Sequence, residues 1–199
     1  CTLILQGGIE PGQSVTVASL AEALDVSPMP VREALSRLTA AGALAPVSGR
    51  SMGVPKLRKA EFEDIKRVRA ESESIAVRWA IQRRTDDFVG DLRGLLEQLI
   101  EAEEACDNHR FIDLNYRFHF AIYEHSGSPT LLAVIRNLWL RVSPYFHLLD
   151  AKGHLHVSNE LHTRLVEEIA AGEPAAAVKT LRRDIERAYA KLVEHTVED

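Results

Sequence analysis

Four polar side chains lie on otherwise apolar helical faces in the second half of the sequence. They are Asn115, His119, His162 and Asp184. Each lies three or four positions from aliphatic or aromatic residues, the spacing that places side chains on one face of a helix. Burying a carboxylate without a partner costs several kcal/mol, and an unpaired amide costs about 1 to 3 kcal/mol. These groups must therefore bind one another or a common ligand.

A divalent metal ion would satisfy all four groups at once. Two imidazole nitrogens, one carboxylate and one amide oxygen suit Zn, Ni, Mn or a similar ion. Four protein ligands leave about two positions of an octahedral ion open to water or to an anion. A metal-free alternative stays open, in which Asp184 pairs directly with His119 or His162 in a hydrogen-bonded cluster.

Arg69 is a second charged group on an apolar face, in a stripe that includes Phe62 and Ile65. An unpaired guanidinium there would be costly, and its fork of N–H donors matches a carboxylate. We therefore expect Arg69 to bind a small organic acid beside the metal. The alternative is a surface ion pair with Glu73, four residues on. Four further residues could line the same cavity: Tyr116, Tyr123, Arg141 and Tyr145.

Long helices must position these residues, because apolar spacings of three and four dominate from residue 59 onward. Breaks at Thr85, Gly127, Gly153 and Gly172 divide this part into helices. The predicted helices are 60–84, 86–107, 109–125, 129–150, 156–171 and 174–196. We expect no strand after Val54.

The first part of the chain predicts shorter elements. Val17–Leu24 has the pattern of a short helix, and Ser27 occupies an N-cap position before a second helix that ends at Gly42. Leu44–Val47 and Met52–Val54 then predict a hairpin. This order is that of a winged helix-turn-helix.

Charge separates the two parts. The chain has a net charge of −5, but residues 26–58 carry five basic side chains against Glu33 alone. Ser27 and Arg32, at the start of the second helix, could enter a major groove and reach bases or phosphates. Arg50, at the hairpin tip, would contact the DNA backbone or minor groove. The alternative is that Arg32 pairs with Glu33 or Ser36 on a solvated surface.

Composition sets broader limits. With 199 residues, 46% hydrophobic and 27% charged, the chain is typical of a soluble globular protein, not of disordered or collagenous chains. It lacks the roughly 20-residue apolar run of a membrane span. Cys1 and Cys106 provide no disulfide framework, which is consistent with a cytoplasmic location. Because the sequence opens with Cys1 within a possible helix, we expect an upstream segment.

The first part resembles the GntR family of bacterial transcription regulators over about 50 residues. The resemblance rests on Pro11-Gly12, Leu20-Ala21, Ser27, the run Pro30-Val31-Arg32-Glu33-Ala34-Leu35, Leu38 and Gly42. The helical part resembles the FCD type of effector domain. The resemblance implies DNA contacts for Arg32, Arg37 and Arg50, and an effector contact for Arg69. It also implies a metal site at the four polar positions described above.

The chain departs from the family pattern at several of these positions. The FCD pattern has an aspartate and three histidines, whereas Asn115 stands at its aspartate position and Asp184 at one histidine position. The charge of the ligand set is kept, but an imidazole is lost, which predicts a more oxygen-rich and weaker site. Members of the family often carry Arg or Thr at the positions of Pro28 and Met29, and Gly at the position of Ser51, which predicts altered or fewer base contacts from the first turn of the second helix.

The sequence therefore predicts a mainly α protein with a winged helix-turn-helix at 1–57 and an all-helical effector and dimerisation domain at 58–199. We expect a homodimeric regulator, not an enzyme, whose binding to a double-stranded operator responds to a small carboxylate at the metal. One alternative keeps the DNA-binding part but gives it a metal-free domain for acyl or other apolar ligands. Another is a metal-dependent hydrolase, although the sequence offers no separate general base or nucleophile.

Overall fold

The structure is a computed structural model that describes residues 11–48, 51–149 and 151–197. Its first part, called the head below, contains two helices and a three-stranded antiparallel sheet of order β1-β3-β2. These elements are α1 (Val17–Ala23), α2 (Pro28–Ala40), β1 (Ser14–Thr16), β2 (Ala45–Ser48) and β3 (Ser51–Gly53). The predicted helix-turn-helix and hairpin are confirmed. The sequence did not predict β1, because three residues are too few to show an alternating pattern.

The second part, called the bundle below, contains the six predicted helices. They are α3 (Lys59–Gln82), α4 (Asp86–Glu104), α5 (Asn108–His125), α6 (Pro129–Val142), α7 (Ala151–Ala171) and α8 (Pro174–Leu192). Helix α3 packs against α5, α6 and α8, and α7 packs against α4 and α8. Helices α3, α5, α7 and α8 therefore meet around one interior region, where the predicted site residues lie.

Three predicted boundaries differ from the structure by four residues or more. The helix predicted to reach residue 150 ends at Val142, and a 3-10 helix covers Ser143–Leu148. Pro144 explains this change, because proline cannot donate the hydrogen bond that an α-helix interior requires. Gly153 does not break the chain, since α7 already begins at Ala151. The last helix ends at Leu192 and continues only as a 3-10 turn.

The head and the bundle share a continuous apolar core. At their junction the buried hydroxyl of Tyr145 accepts a hydrogen bond from the Leu57 N–H at 2.7 Å and donates to the Pro55 carbonyl at 3.1 Å. The Val197 N–H donates to the Leu57 carbonyl, and the Val197 carbonyl accepts from Lys59. The connecting segment is therefore tied both to the 3-10 helix and to the end of the chain.

Among the residues that the structure describes, no helix combines the length and the apolar character that a membrane span requires.

Candidate metal centre and nucleic-acid interface

Three of the four predicted metal ligands converge inside the bundle. His119 on α5, His162 on α7 and Asp184 on α8 place one potential ligand atom each within 4.8 Å of one another. Asp184 Oδ2 lies 3.4 Å from His119 Nε2 and 3.7 Å from His162 Nε2. Both histidines are buried. Helices distant in sequence thus bring two imidazoles and a carboxylate to one point.

The spacing of these atoms fits a shared cation. Both distances exceed the 2.7 to 3.2 Å of a normal N–H···O hydrogen bond. Ligand atoms that each lie about 2.0 to 2.2 Å from one ion are separated by roughly 3 to 3.5 Å, close to the observed values. Nitrogen and carboxylate donors also match a divalent ion of intermediate softness. The metal-free hypothesis predicts the same neighbours at shorter distances.

Asn115, the fourth predicted ligand, lies on the wall of the same cavity as His119 and Asp184. It is half-buried, and no hydrogen bond joins its amide to another described side chain. A residue that the sequence did not single out, Ser158, is closer to the cluster. Its hydroxyl donates to Asp184 Oδ1 at 3.2 Å and lies 3.5 Å from His162 Nε2.

Arg69 forms an ion pair with Glu73 in the bundle interior. Arg69 Nε lies 2.6 Å from Glu73 Oε1, and a second guanidinium nitrogen lies 3.4 Å from Oε2. The guanidinium also lies 4.5 Å from the centre of the Trp139 ring. The alternative of a surface pair was right about the partner and wrong about the surface, because both side chains are buried.

Glu73 joins this ion pair to the metal-site cluster. Its Oε1 accepts from Trp139 Nε1 at 2.9 Å, and its Oε2 accepts from the Tyr123 hydroxyl at 2.5 Å. The same hydroxyl lies 3.2 Å from His119 Nδ1. The sequence pattern did not identify this role of Glu73. The signal was available, because Glu73 lies one turn from Arg69 on the same apolar face.

Burial and charge act together on the pKa values of the cluster. Burial lowers the pKa of His162 below its usual value, although Asp184 opposes this effect. Burial alone would raise the pKa of Asp184, but electrostatic interaction with the neighbouring His162 and His119 holds it below its usual range. Burial also opposes the charge on Arg69, but Glu73 outweighs it and raises the pKa of the guanidinium. A neutral imidazole beside an ionised carboxylate is the combination that binds metal ions.

The cavity beside the cluster is small, about 40 Å³. Its described lining includes Arg69, Asn115, His119, Trp139, Phe146 and Asp184. A water molecule needs roughly 10 to 15 Å³ by a comparable measure, so the space suits an ion with a few waters. An organic acid would require the wall to move.

None of the four residues expected to line this cavity is among its described lining. The Tyr123 hydroxyl lies 3.2 Å from His119 Nδ1, and the Tyr116 ring packs against Phe120. Arg141 pairs with Glu61, and Tyr145 binds the connecting segment. These four side chains therefore pack or pair elsewhere, because helical spacing identifies a buried face but not which part of the interior it meets.

The head exposes the predicted DNA-contact residues of α2. Arg37 pairs with Glu33 at 2.5 Å across one helical turn, so Glu33 does not take the role of partner to Arg32. Among the described residues, no ion pair involves Arg32, and its side chain is exposed. Arg50 lies outside the described residues.

Ser27 is the N-cap of α2, as the sequence predicted, but its side chain makes no capping hydrogen bond. A capping side chain bonds the N–H of the second or third helical residue. Pro30 at the third position has no N–H, so only the N–H of Met29 at the second position could serve, and Ser27 does not bond it. The Ser27 hydroxyl is therefore exposed without its usual intrahelical role.

Comparisons with known proteins agree with this architecture. The profile of bacterial regulatory proteins of the gntR family matches residues 2–54, and the FCD domain profile matches residues 64–187. The chain is 38% identical over 143 residues to the HTH-type transcriptional regulator McbR of Escherichia coli. The matched region covers 72% of this chain and 65% of McbR, so the match spans slightly less than two thirds of that relative. It is 32% identical to the Nta operon transcriptional regulator of Aminobacter aminovorans, over 81% of this chain and 79% of that protein.

A solved structure of E. coli McbR/YncC is similar over 97% of this chain and 92% of that one. The TM-score is 0.90 at 30% sequence identity. The similarity thus includes both the head and the bundle.

Proposed function

Because the chain belongs to the GntR family of transcription regulators and carries an FCD domain, we propose that its operator binding responds to a small carboxylate held at a divalent metal ion. The observation that carries this proposal is the meeting of His119, His162 and Asp184 inside the bundle. Asn115 would supply a fourth ligand from the cavity wall. The bound ion would provide a positive centre with positions open to an anion.

The charge balance of the interior supports an anionic effector. Arg69 and Glu73 neutralise each other, and one carboxylate, Asp184, remains beside the proposed ion. A divalent ion would leave a net charge of about +1 in a site of low dielectric, which a carboxylate would cancel. Because Glu73 already occupies Arg69, the effector must share that guanidinium or displace the glutamate. Either change would move groups that pack against the cavity.

In the proposed mechanism two copies of the chain present their heads to successive half-sites of the operator. Residues 1–57 would form the DNA-binding domain, with contacts from Ser27, Arg32, Arg37 and Arg50, and residues 58–199 the effector and dimerisation domain. The effector must bind one arrangement of the bundle more tightly than the other, or it shifts nothing. A change in head separation would then alter the fit to DNA. A cytoplasmic location follows from this role.

Metal analysis tests the proposed centre. We expect the purified chain to bind about one Zn²⁺, Ni²⁺ or Mn²⁺ per protomer and the variants Asp184→Ala and His162→Ala to lose most of this metal. His109→Ala, on the same helix as His119 but exposed, is the control and should bind as the unchanged chain does. Unchanged metal content in both site variants would reject the proposed ligand set. A chain that binds no metal at all would instead favour the metal-free effector domain.

DNA binding tests the head separately. On an operator selected from a randomised duplex library at fixed salt, Arg32→Ala should weaken binding by about 1 to 3 kcal/mol if Arg32 contacts a base edge. Arg93→Ala, an exposed arginine of the bundle, should bind unchanged. An equal loss on random DNA would show that Arg32 contacts phosphate. No loss on either DNA would remove Arg32 from the interface.

A further inference from the structure

A row of three buried side chains leads away from the proposed metal centre. The Tyr123 hydroxyl lies 2.5 Å from Glu73 Oε2 and 3.2 Å from His119 Nδ1. All three residues are buried, and they come from α3 and α5. His119 Nε2, on the other side of the same ring, lies 3.4 Å from Asp184.

The direction of each hydrogen bond follows from counting protons. A carboxylate only accepts, so the single hydroxyl proton of Tyr123 is donated to Glu73. The phenolic oxygen can then only accept from His119. The His119 ring must therefore carry its proton on Nδ1. Its Nε2 is left with a lone pair that faces Asp184.

Several donors surround the Glu73 carboxylate, and they determine the direction of the hydrogen bond from Tyr123. Besides Tyr123, its oxygens accept from Arg69 Nε at 2.6 Å and from Trp139 Nε1 at 2.9 Å. Three donors therefore surround this ion-pair partner of Arg69, and a carboxylate that accepts from all of them has no proton to give to Tyr123. The contrast is His162, whose buried Nδ1 has no hydrogen-bond partner among the described groups.

We propose that Tyr123 and Glu73 are positioning residues that hold His119 as the Nδ1–H tautomer and so present its Nε2 lone pair to the metal. This inference rests on the metal site proposed above. A second hydrogen bond on the far nitrogen orients a metal-binding histidine and makes it a better ligand. The same row connects Arg69 to a metal ligand, so an anion that draws Arg69 away from Glu73 would act on His119 as well.

The tautomer can be read without any metal. In the metal-free chain at about pH 8, where an ordinary imidazole is neutral, ¹⁵N NMR should show the His119 proton on Nδ1. In Tyr123→Phe the proton should move toward Nε2, because His119 then loses its acceptor on Nδ1 while the Asp184 carboxylate still faces Nε2. A proton on Nε2 of His119 in the unchanged chain would overturn the inference, and this measurement needs no variant to fold.

Zinc binding provides the second readout. Competition with a chromophoric chelator should show that Tyr123→Phe weakens Zn²⁺ binding about 10- to 100-fold. Tyr116→Phe, on the same helix and half-buried, should leave binding unchanged. If the unchanged chain binds Zn²⁺ and Tyr123→Phe binds it equally well, the positioning role is wrong. If the unchanged chain binds no Zn²⁺, the proposed metal function fails, while the tautomer measurement still decides the proton order.

Discussion

The head and the bundle each contain an arginine and a glutamate one helical turn apart. The glutamate comes first in the head pair and second in the bundle pair, and the two pairs differ most in their burial. Arg37 and Glu33 on α2 are 2.5 Å apart with side chains 78% and 63% exposed. Arg69 and Glu73 on α3 are 2.6 Å apart with side chains 4% and 0% exposed. The spacing of four residues is the same, so spacing does not distinguish a surface ion pair from part of an interior network, whereas burial does.

This contrast extends to the residues proposed above for DNA and metal binding. Those of the head, such as Arg32 and Ser27, are exposed to solvent, where a separate molecule can contact them. Those of the bundle face inward and bind one another before any ligand arrives, as Glu73 does with Tyr123 and Trp139. Variants in the head should therefore change DNA binding with little effect on stability, whereas variants in the bundle should change both stability and ligand binding.

Removal of the two glutamates gives the largest expected difference between the regions. Glu73→Ala leaves Arg69 buried without its partner and should lower the free energy of unfolding by about 3 to 5 kcal/mol. Glu33→Ala removes an exposed pair and should cost no more than about 1 kcal/mol. Urea unfolding followed by circular dichroism measures both values.

The two variants control for each other, because each replaces a helical glutamate by alanine and so makes the same change in helix propensity. A loss below about 1 kcal/mol in Glu73→Ala would contradict the assignment of a buried network. A large loss in Glu33→Ala would show that the surface pair of the head carries stability that its exposure does not predict.

The same contrast shows what sequence could predict. Helical periodicity predicted all six bundle helices, and the cost of burying polar groups identified His119, His162 and Asp184 as neighbours before their distances were known. Glu73 was missed because an Arg–Glu pair one turn apart is ordinarily a surface feature. Its partners Tyr123 and Trp139 lie 50 and 66 residues away in sequence, and no local pattern connects them. Three-dimensional packing was needed to join them.

The junction of the two regions gives the next prediction. Tyr145→Phe keeps the ring but removes the acceptor of the buried Leu57 N–H, which should cost about 1 to 3 kcal/mol. Lys56 and Arg58 are already exposed, but trypsin requires the backbone around them to open locally, so cleavage of the connecting segment should be faster in this variant. Thermal unfolding and timed proteolysis measure the two effects.

Tyr116→Phe is the control, because it removes a phenolic hydroxyl that lies away from the junction. Equal cleavage of the two variants would mean that the Tyr145 hydroxyl does not hold the head and the bundle together.

Helix caps give the smallest difference. The Thr85 hydroxyl accepts from the Phe88 N–H at 3.2 Å at the start of α4, so Thr85→Ala should cost about 0.5 to 2 kcal/mol in urea unfolding. Ser27→Ala should stay within about 0.5 kcal/mol, because Pro30 at the matching position of α2 has no N–H to bond.

Restoring that N–H makes the cap comparison decisive. In a Pro30→Ala background the third residue of α2 can donate, and replacing Ser27 by alanine should then cost as much as removing Thr85. If Ser27→Ala remains neutral in that background, the missing proline N–H is not what leaves the hydroxyl without a capping bond. If Ser27→Ala lowers the free energy of unfolding in that background, Pro30 is what prevents Ser27 from capping α2 in the unchanged chain. The Ser27 hydroxyl is then available to the DNA that the head binds.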